Sequence, residues 1–453
     1  AGMIANLRRA ERATGRPVRV EMDLGGPRLR TGSLESGPAV VKVRPPRDDF
    51  GRVVRPARVR WRPPGAPDRR PGPFEAELEA PAAWLARRRR GDRIRFRDAR
   101  GATRSFRVTR SGPGGVDAEL EKTAYLTNGL SLEVRRGRPA QADRAVLSGV
   151  PSRPGRVRLA PGSTLRLLAQ SSPPRVRSAR AGRRPGTSSI GVSIPSVLRQ
   201  VRRGHRIWFD GGRIGGVVRS VGAGGVAVRI DRAPPGGAWL RGDQGINLPD
   251  TDLELPPLSE TDRRDLAFVV RHADLVGYSF VQRASDVGVL RRELARLGRP
   301  TMGVVLKIET RRAFDALPEI LLAALRSGPS AVMLARGDLA VEVGFERLAE
   351  VQEEMLWLCE AARLPAIWAT QVLEGLAKSG LPTRAEVTDA AMGERAECVM
   401  LNKGPFLLDA VRALDGILRR MQAHQAKKVA RLRHLEVAER FLERERRRRP
   451  IRR

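Results

Sequence analysis

From about Asp274 onward, short apolar runs alternate with stretches of helical period. The runs fall at 275–280, 302–306, 331–335, 366–369 and 398–401, each closed by a polar or glycine-rich turn. Their length and flanking turns predict strands. Between them, Leu348, Val351, Met355, Leu358, Cys359 and Ala362 recur with helical spacing, and Leu407, Val411, Leu414, Leu418 and Met421 repeat the pattern. Alternation of this length implies parallel strands in an α/β domain, either a barrel or a doubly wound sheet. Polar chemistry gathered after successive strands favours the barrel, whose active site lies at the C-terminal strand ends.

Upstream the pattern changes. The stretch from about Ser33 to Gly245 is rich in Gly, Pro and Arg and carries short alternating segments such as Arg93-Ile94-Arg95-Phe96 and Ser105-Phe106-Arg107-Val108. These predict small β-barrels or sandwiches. The segment Arg90-Gly91-Asp92-Arg93-Ile94-Arg95-Phe96 matches Arg203-Gly204-His205-Arg206-Ile207-Trp208-Phe209. Each copy follows a helix-like apolar turn, Ala82–Leu85 and then Pro195–Leu198, so the region reads as two repeats. Chance similarity in low-diversity Arg/Gly sequence is the alternative. Residues 171–187 read as a mobile linker. At the start, Ala1–Glu11 has the pattern of an amphipathic helix without the apolar core of a secretion signal. After Met421 come Lys427-Lys428, Arg431, Arg433 and Arg446–Arg449, which predict a solvated, fraying basic helix or a docking element for an acidic partner.

Composition narrows the function classes. The chain has 453 residues, 41% of them apolar, and no apolar run long enough to span a membrane. Cys359 and Cys398 sit in apolar surroundings and predict buried thiols in a reducing, cytoplasmic compartment. His205, His272, His424 and His434 show no zinc-ligand spacing. The net charge is +35, yet it comes almost wholly from arginine spread along the chain, and aromatics are 4%. That is too few for a base-stacking platform, so specific nucleic-acid recognition is not expected. Non-specific, salt-sensitive binding of polyanions is.

The lysines are few, which makes Lys307 stand out. It ends the run Met302-Gly303-Val304-Val305-Leu306-Lys307-Ile308-Glu309-Thr310. A buried ammonium needs an anionic partner, and Glu309 shares its strand face at period two. The pair suits a metal and an anionic substrate; a structural ion pair at a strand end is the plainer reading. A second carboxylate, Asp338, follows the run Ala331-Val332-Met333-Leu334. Two carboxylates on neighbouring strand ends suit Mg²⁺, which fills its shell with water and substrate oxygens. The backbone amides of Ala335, Arg336 and Gly337, entering a helix, form an anion cradle. Thr370 follows the next strand, and Ser279-Phe280-Val281 closes the first.

On these residues the chain resembles pyruvate kinase. The matching signatures are Ser279-Phe280-Val281, Lys307-Ile308-Glu309, Ala335-Arg336-Gly337-Asp338-Leu339 with Val341-Glu342, Ala369-Thr370-Gln371 with Leu373-Glu374, and Pro382–Asp389. Asp23–Gly32 is similar to the family's strand leading into an inserted domain, and Gly245–Pro249 to the return from it. The resemblance implies a (β/α)8 TIM-type barrel whose first two strands are missing here, with a large inserted β domain. The divisions are then 1–32 barrel, 33–245 insert, 246–421 barrel with active site, and 422–453 basic tail.

It implies transfer of a phosphoryl group from phosphoenolpyruvate to ADP, giving pyruvate and ATP. Glu309 and Asp338 would hold Mg²⁺ or Mn²⁺. Lys307 would neutralise the migrating phosphoryl group and the enolate, Thr370 would place the proton donor, and Arg30 would reach the nucleotide phosphates. Ser279, Ala335, Arg336, Gly337 and Thr370 would line the substrate site. Asp23 is a monovalent-cation ligand in the family, but Arg28 stands where a glutamate is usual. A fixed guanidinium supplies the charge K⁺ brings, so K⁺ is not expected to be required. The turn Asn402-Lys403-Gly404-Pro405 departs from the family's serine-glycine-glutamate-threonine, Gln282 replaces an arginine, and the regulatory C-terminal domain has no counterpart. Two alternatives stay open: a lyase or aldolase acting on pyruvate-type substrates, and a catalytically silent polyanion-binding relative. A homo-oligomer also stays open.

Overall fold

A computed structural model describes residues 2–66, 74–112, 114–136, 141–169, 187–425 and 436–448. Apart from Thr187, the expected linker lies outside them, as do Lys427, Lys428, Arg431 and Arg433. The chain forms two compact units, Ala1–Ser33 with Val157–Arg453, and Leu34–Arg156.

The larger unit is mixed α/β. Its main sheet has six parallel strands in chain order: β1 (Glu21–Asp23), β2 (Leu275–Tyr278), β3 (Gly303–Ile308), β4 (Ser330–Ala335), β5 (Ala366–Val372) and β6 (Cys398–Leu401). Five of these coincide with the apolar runs. Parallel strands covered on both faces need continuous apolar sequence, and β3 is buried from Val304 to Ile308. The helices include α1 (Gly2–Thr14), α2 (Glu260–His272), α3 (Ala284–Arg296), α4 (Arg311–Asp315), α5 (Leu317–Ser327), α6 (Arg336–Val343), α7 (Leu348–Ala361), α8 (Glu374–Ser379), α9 (Arg384–Met392), α10 (Leu407–Gln425) and α11 (Glu436–Arg448). Side-chain caps fix several starts. Ser259 and Asp262 form a capping box on α2, and Thr383 and Glu386 form one on α9. Thr310 accepts from the Ala313 N–H at 3.1 Å and starts α4 directly after the β3 end.

Among the described residues β1 and β6 do not pair with each other, so the sheet is open at both edges. This corrects one expectation. Cys359, on α7, is buried and its thiol is pushed up to about 12 by burial, but Cys398 is exposed because it lies on an edge strand. The basic tail also differs from the solvated helix expected. Val437 of α11 is buried in the main core, and Arg444 donates to the Asp315 carbonyl at 3.0 Å and pairs with Glu319 at 3.3 Å. These contacts dock α11 beside α5.

The same unit holds a β sheet in which Thr187–Gly191, Thr164–Leu168, Gly225–Arg232, Ile214–Gly222 and Arg206–Phe209 lie side by side in that order. In the smaller unit, Ala76–Glu79, Ala57–Arg62, Gly115–Leu120, Thr103–Gly112 and Arg93–Arg97 follow the same order, extended by Ser131–Arg136 and Gln141–Val146. In both, the first pair is parallel and the rest antiparallel. Gly91 and Gly204 both have φ +93°, and their N–H groups donate to Val108 (2.8 Å) and Val218 (2.9 Å). Each valine is followed by a β-bulge.

Candidate active site

Lys307 lies one residue from the end of β3 with 6% of its surface exposed. Its Nζ donates to Asp23 Oδ2 at 2.8 Å and stands 3.7 Å from Glu309 Oε1. Asp23 ends β1, pairs in register with Gly277 of β2, and presses so closely on it that a side chain there would collide with the carboxylate. Glycine at 277 is what lets the edge strand bring Asp23 to Lys307. Asp23, expected as a monovalent-cation ligand, is thus the ammonium's nearest anion.

Glu309 is 4% exposed, and its Oε2 accepts from the Phe280 N–H at 2.7 Å. Phe280 has φ +57°, a left-handed turn that aims this amide into the site. Burial raises the Glu309 carboxyl to about 7; Lys307 and the Phe280 N–H pull it down, and Asp338 pushes it up. The Asp338 charge therefore reaches Glu309, and the two carboxylates oppose one another. A cation relieves that opposition, and an all-oxygen donor pair suits Mg²⁺ or Mn²⁺. Among the described residues no group of three or more His, Cys, Asp or Glu could hold a metal. A pair is what a substrate-completed Mg²⁺ shell asks of the protein.

Asp338 is on the first turn of α6, which starts at Arg336 immediately after β4. The preceding Ala335 makes no side-chain cap, so the first-turn amides stay available to an anion. A Cβ on Gly337 would lie 3.9 Å from the Thr370 side chain, which brings the β4 and β5 ends together. Thr370 and Gln371 have φ +66° and +58°. The Thr370 Oγ1 and Ser279 Oγ are buried with no hydrogen-bond partner. A buried hydroxyl left unpaired is costly. Of these two, Ser279 follows β2 and Thr370 lies on β5, in the same sheet as Lys307, and each marks a position where a polar ligand would bind. Thr370 caps no helix.

The backbone amide of Arg336 belongs to this first turn of α6, while its side chain is engaged in holding the neighbouring strand end. It is 7% exposed, binds both carboxylate oxygens of Asp389 (2.8 Å on one branch), and donates to the carbonyls of Ala369 (2.8 Å) and Thr370 (2.7 Å). Its guanidinium also stacks 4.3 Å from the Trp368 ring. It holds the left-handed turn at Thr370 in place. Arg30 is tied elsewhere: it pairs with Asp243 at 3.1 Å and donates to that residue's carbonyl at 2.9 Å. None of its described bonds reaches Lys307, Glu309 or Asp338.

Sequence reading named no role for Asp389, Gly277, Phe280 or Asn247. Asn247 donates to Glu342 Oε1 at 3.1 Å; Glu342 is raised to about 7 by burial, with Asp338 adding to the rise. Beside this group, a cavity of about 830 Å³ is lined by Gln282, Arg283, Thr310, Arg312, Glu342 and, from α11, Arg444. Among the described residues no helix is long and apolar enough to cross a membrane.

Comparison with known proteins bears on this arrangement directly. The family description "Pyruvate kinase, barrel domain" matches residues 176–405. The chain is 36% identical to pyruvate kinase PKLR of Homo sapiens over 247 residues, 53% of this chain and 41% of that protein. It is 35% identical to a pyruvate kinase of Hypocrea jecorina over 235 residues (50% and 42%), and 33% identical to one of Methylorubrum extorquens over 246 (52% and 49%). The chain thus spans under half the length of these relatives. The match covers every strand end that carries Lys307, Glu309, Asp338 and Thr370, and the chain belongs to the pyruvate kinase family.

Proposed function

We propose that the chain transfers a phosphoryl group between phosphoenolpyruvate and ADP, with Mg²⁺ bound at Glu309 and Asp338, giving pyruvate and ATP. The observation that carries this reading is the position of the Lys307 ammonium, 2.8 Å from Asp23 and 3.7 Å from Glu309, in a sheet whose strands also carry two buried, unpaired hydroxyls. In the reaction, an oxygen of the ADP terminal phosphate forms a bond to phosphorus and the bond to the enol oxygen breaks. The enolate left behind takes a proton on carbon. Mg²⁺ supplies Lewis-acid charge to the substrate oxygens when bound. Lys307 donates toward the migrating phosphoryl oxygens and the enolate oxygen, where negative charge builds. The first-turn amides of α6 and the Ser279 hydroxyl orient the substrate's anionic groups. Thr370 Oγ1, fixed by the Arg336 clamp, positions the proton donor. Residues 1–32 and 246–421 act as barrel segments, 33–245 as a duplicated insert and 422–453 as a tail, in a cytoplasmic enzyme. Arg30 approaches nucleotide phosphates only after leaving Asp243.

The test is pyruvate formation by the full chain from phosphoenolpyruvate and ADP, coupled to a second enzyme. Turnover that needs Mg²⁺ or Mn²⁺ supports the reading. No turnover, together with Mg²⁺-dependent binding of pyruvate, favours the lyase or aldolase alternative; the open sheet edges at β1 and β6 are what keep that alternative in view.

Two expectations follow from the site's electrostatics. With Glu309 near 7, protons compete with the metal, so apparent Mn²⁺ affinity rises about tenfold from pH 6 to pH 8. For the metal-free protein the sign is opposite. A carboxyl raised from 4.5 to about 7 favours the folded state below pH 4.5 and loses that contribution as pH rises through 7. Calorimetric Mn²⁺ titrations at the two pH values check the first; a flat affinity contradicts it. For K⁺, Arg28 lies 5.9 Å over the Phe280 ring, and its charge is felt at Glu309. Activation on replacing Na⁺ by K⁺ is therefore less than about twofold in the native chain, and Arg28→Glu increases it. Initial rates at constant ionic strength decide this.

A further inference from the structure

The sheet of the smaller unit has a face that the proposed reaction does not use. Along the strand Arg93–Arg97 burial alternates: Ile94 and Phe96 point into the core, and Arg93, Arg95 and Arg97 are exposed. Same-face residues on a strand repeat about every 7 Å, so the three guanidinium groups form a row about 13 Å long. Arg107 on the neighbouring strand stands directly opposite Arg93. A cavity of about 370 Å³ opens here, lined by Arg93, Arg95, Arg104, Arg107 and Lys122 and by the carboxylates Glu119 and Glu121. Arg107 is paired with Glu119 at 2.8 Å, and Arg104 donates to the Thr123 carbonyl at 3.0 Å. Glu133, opposite Arg95 on the other side, is engaged by Arg135 and Arg144. The side chains of Arg93, Arg95, Arg97 and Lys122 have no hydrogen-bond or ion-pair partner among the described residues.

The matching sheet of the larger unit shows what the same positions look like when they are neutralised. Arg206 occupies the place of Arg93, and Asp250 holds it through two bonds of 2.9 and 2.6 Å. Trp208 occupies the place of Arg95, and a Cβ on Gly215 would run into its ring. Two sheets with one strand order and one glycine turn thus differ on this face. One carries its own counter-charge; the other presents unpaired arginines.

We propose that the Arg93–Arg95–Arg97 face binds the phosphate backbone of a nucleic acid, without reading its bases. A row at regular spacing fits a polymer of phosphates better than a single small anion. Each guanidinium fork can take a phosphate through two parallel bonds. Phe96, Phe106 and Trp61 are buried and offer no stacking surface on this strand face, so its affinity comes from phosphate charge alone.

The experiment measures binding of the full chain to a mixed-sequence DNA duplex by fluorescence anisotropy across a range of salt concentrations. Arg93→Gln/Arg95→Gln/Arg97→Gln removes three phosphate contacts, so the slope of log affinity against log salt becomes shallower by about 2–3. Arg12→Gln/Arg16→Gln/Arg19→Gln, the same charge change at exposed positions elsewhere, leaves the slope within about one unit of the unaltered chain. That contrast supports the proposal. Equal slopes for the two triple variants overturn it, because binding is then set by net charge and not by this face. Inorganic polyphosphate at matched phosphate concentration displaces the duplex, as binding through phosphate charge alone requires; a duplex that polyphosphate leaves bound overturns the proposal.

Discussion

Lys307→Met lowers the turnover of phosphoenolpyruvate about a thousandfold while the chain stays folded. The methionine thioether fills much of the lysine's volume, so packing in β3 changes little. What disappears is the ammonium between Asp23 and Glu309. Lys307 is also the first of the groups that pull the buried Glu309 carboxyl downward. Without it Glu309 holds its proton to higher pH, and the pH at which metal binds moves up with it. The measurement is kcat and KM for phosphoenolpyruvate, with thermal unfolding as the folding control. A fall mainly in kcat fits charge stabilisation in the transition state, and a loss confined to KM does not. Less than a tenfold effect removes Lys307 from the chemistry.

Arg336→Met acts by another route. It strands the Asp389 carboxylate, which is only partly exposed, and leaves the Ala369 and Thr370 carbonyls without their donor. Breaking such a pair from one side destabilises the chain by about 3 kcal/mol. Thr370 and Gln371 are held at positive φ by these bonds, so the Thr370 hydroxyl also loses its place. Urea unfolding measures the first effect. For the second, the diagnostic is the split between phosphoryl transfer and enolate protonation. Solvent-proton exchange into pyruvate, which needs only the protonation machinery, falls more steeply than pyruvate binding. If Arg336→Met keeps full stability, the clamp is not what fixes the turn.

The strands of the main sheet were legible because each is a short apolar run closed by a polar turn, a pattern parallel strands require. The carboxylates and the lysine were legible because they sit within three residues of the ends of those runs. Pairing across the chain was not. Lys307 meets Asp23 from 284 residues away, and Arg336 meets Asp389 from 53. Only the fold brings those residues together. The Arg336 amide was placed because it opens a helix at a strand end; that its guanidinium turns back toward β5 could not be read locally. Cys398 has the apolar neighbours of a core residue, but local sequence does not say which strand is last in a sheet. The basic end of the chain read as solvated by charge count, and Val437, which anchors α11, was outweighed by the arginines around it. The internal repeat showed in a seven-residue segment identical at five positions. Its shared strand order could not be read until the strands were paired.

Titration of the full chain with Mn²⁺, followed by electron paramagnetic resonance, tests the central claim most directly. One tightly held ion per chain is expected, lost in both Asp338→Asn and Glu309→Gln and retained in the Arg93→Gln/Arg95→Gln/Arg97→Gln variant. Undiminished binding in Asp338→Asn would contradict the account, because the two carboxylates would then not share an ion.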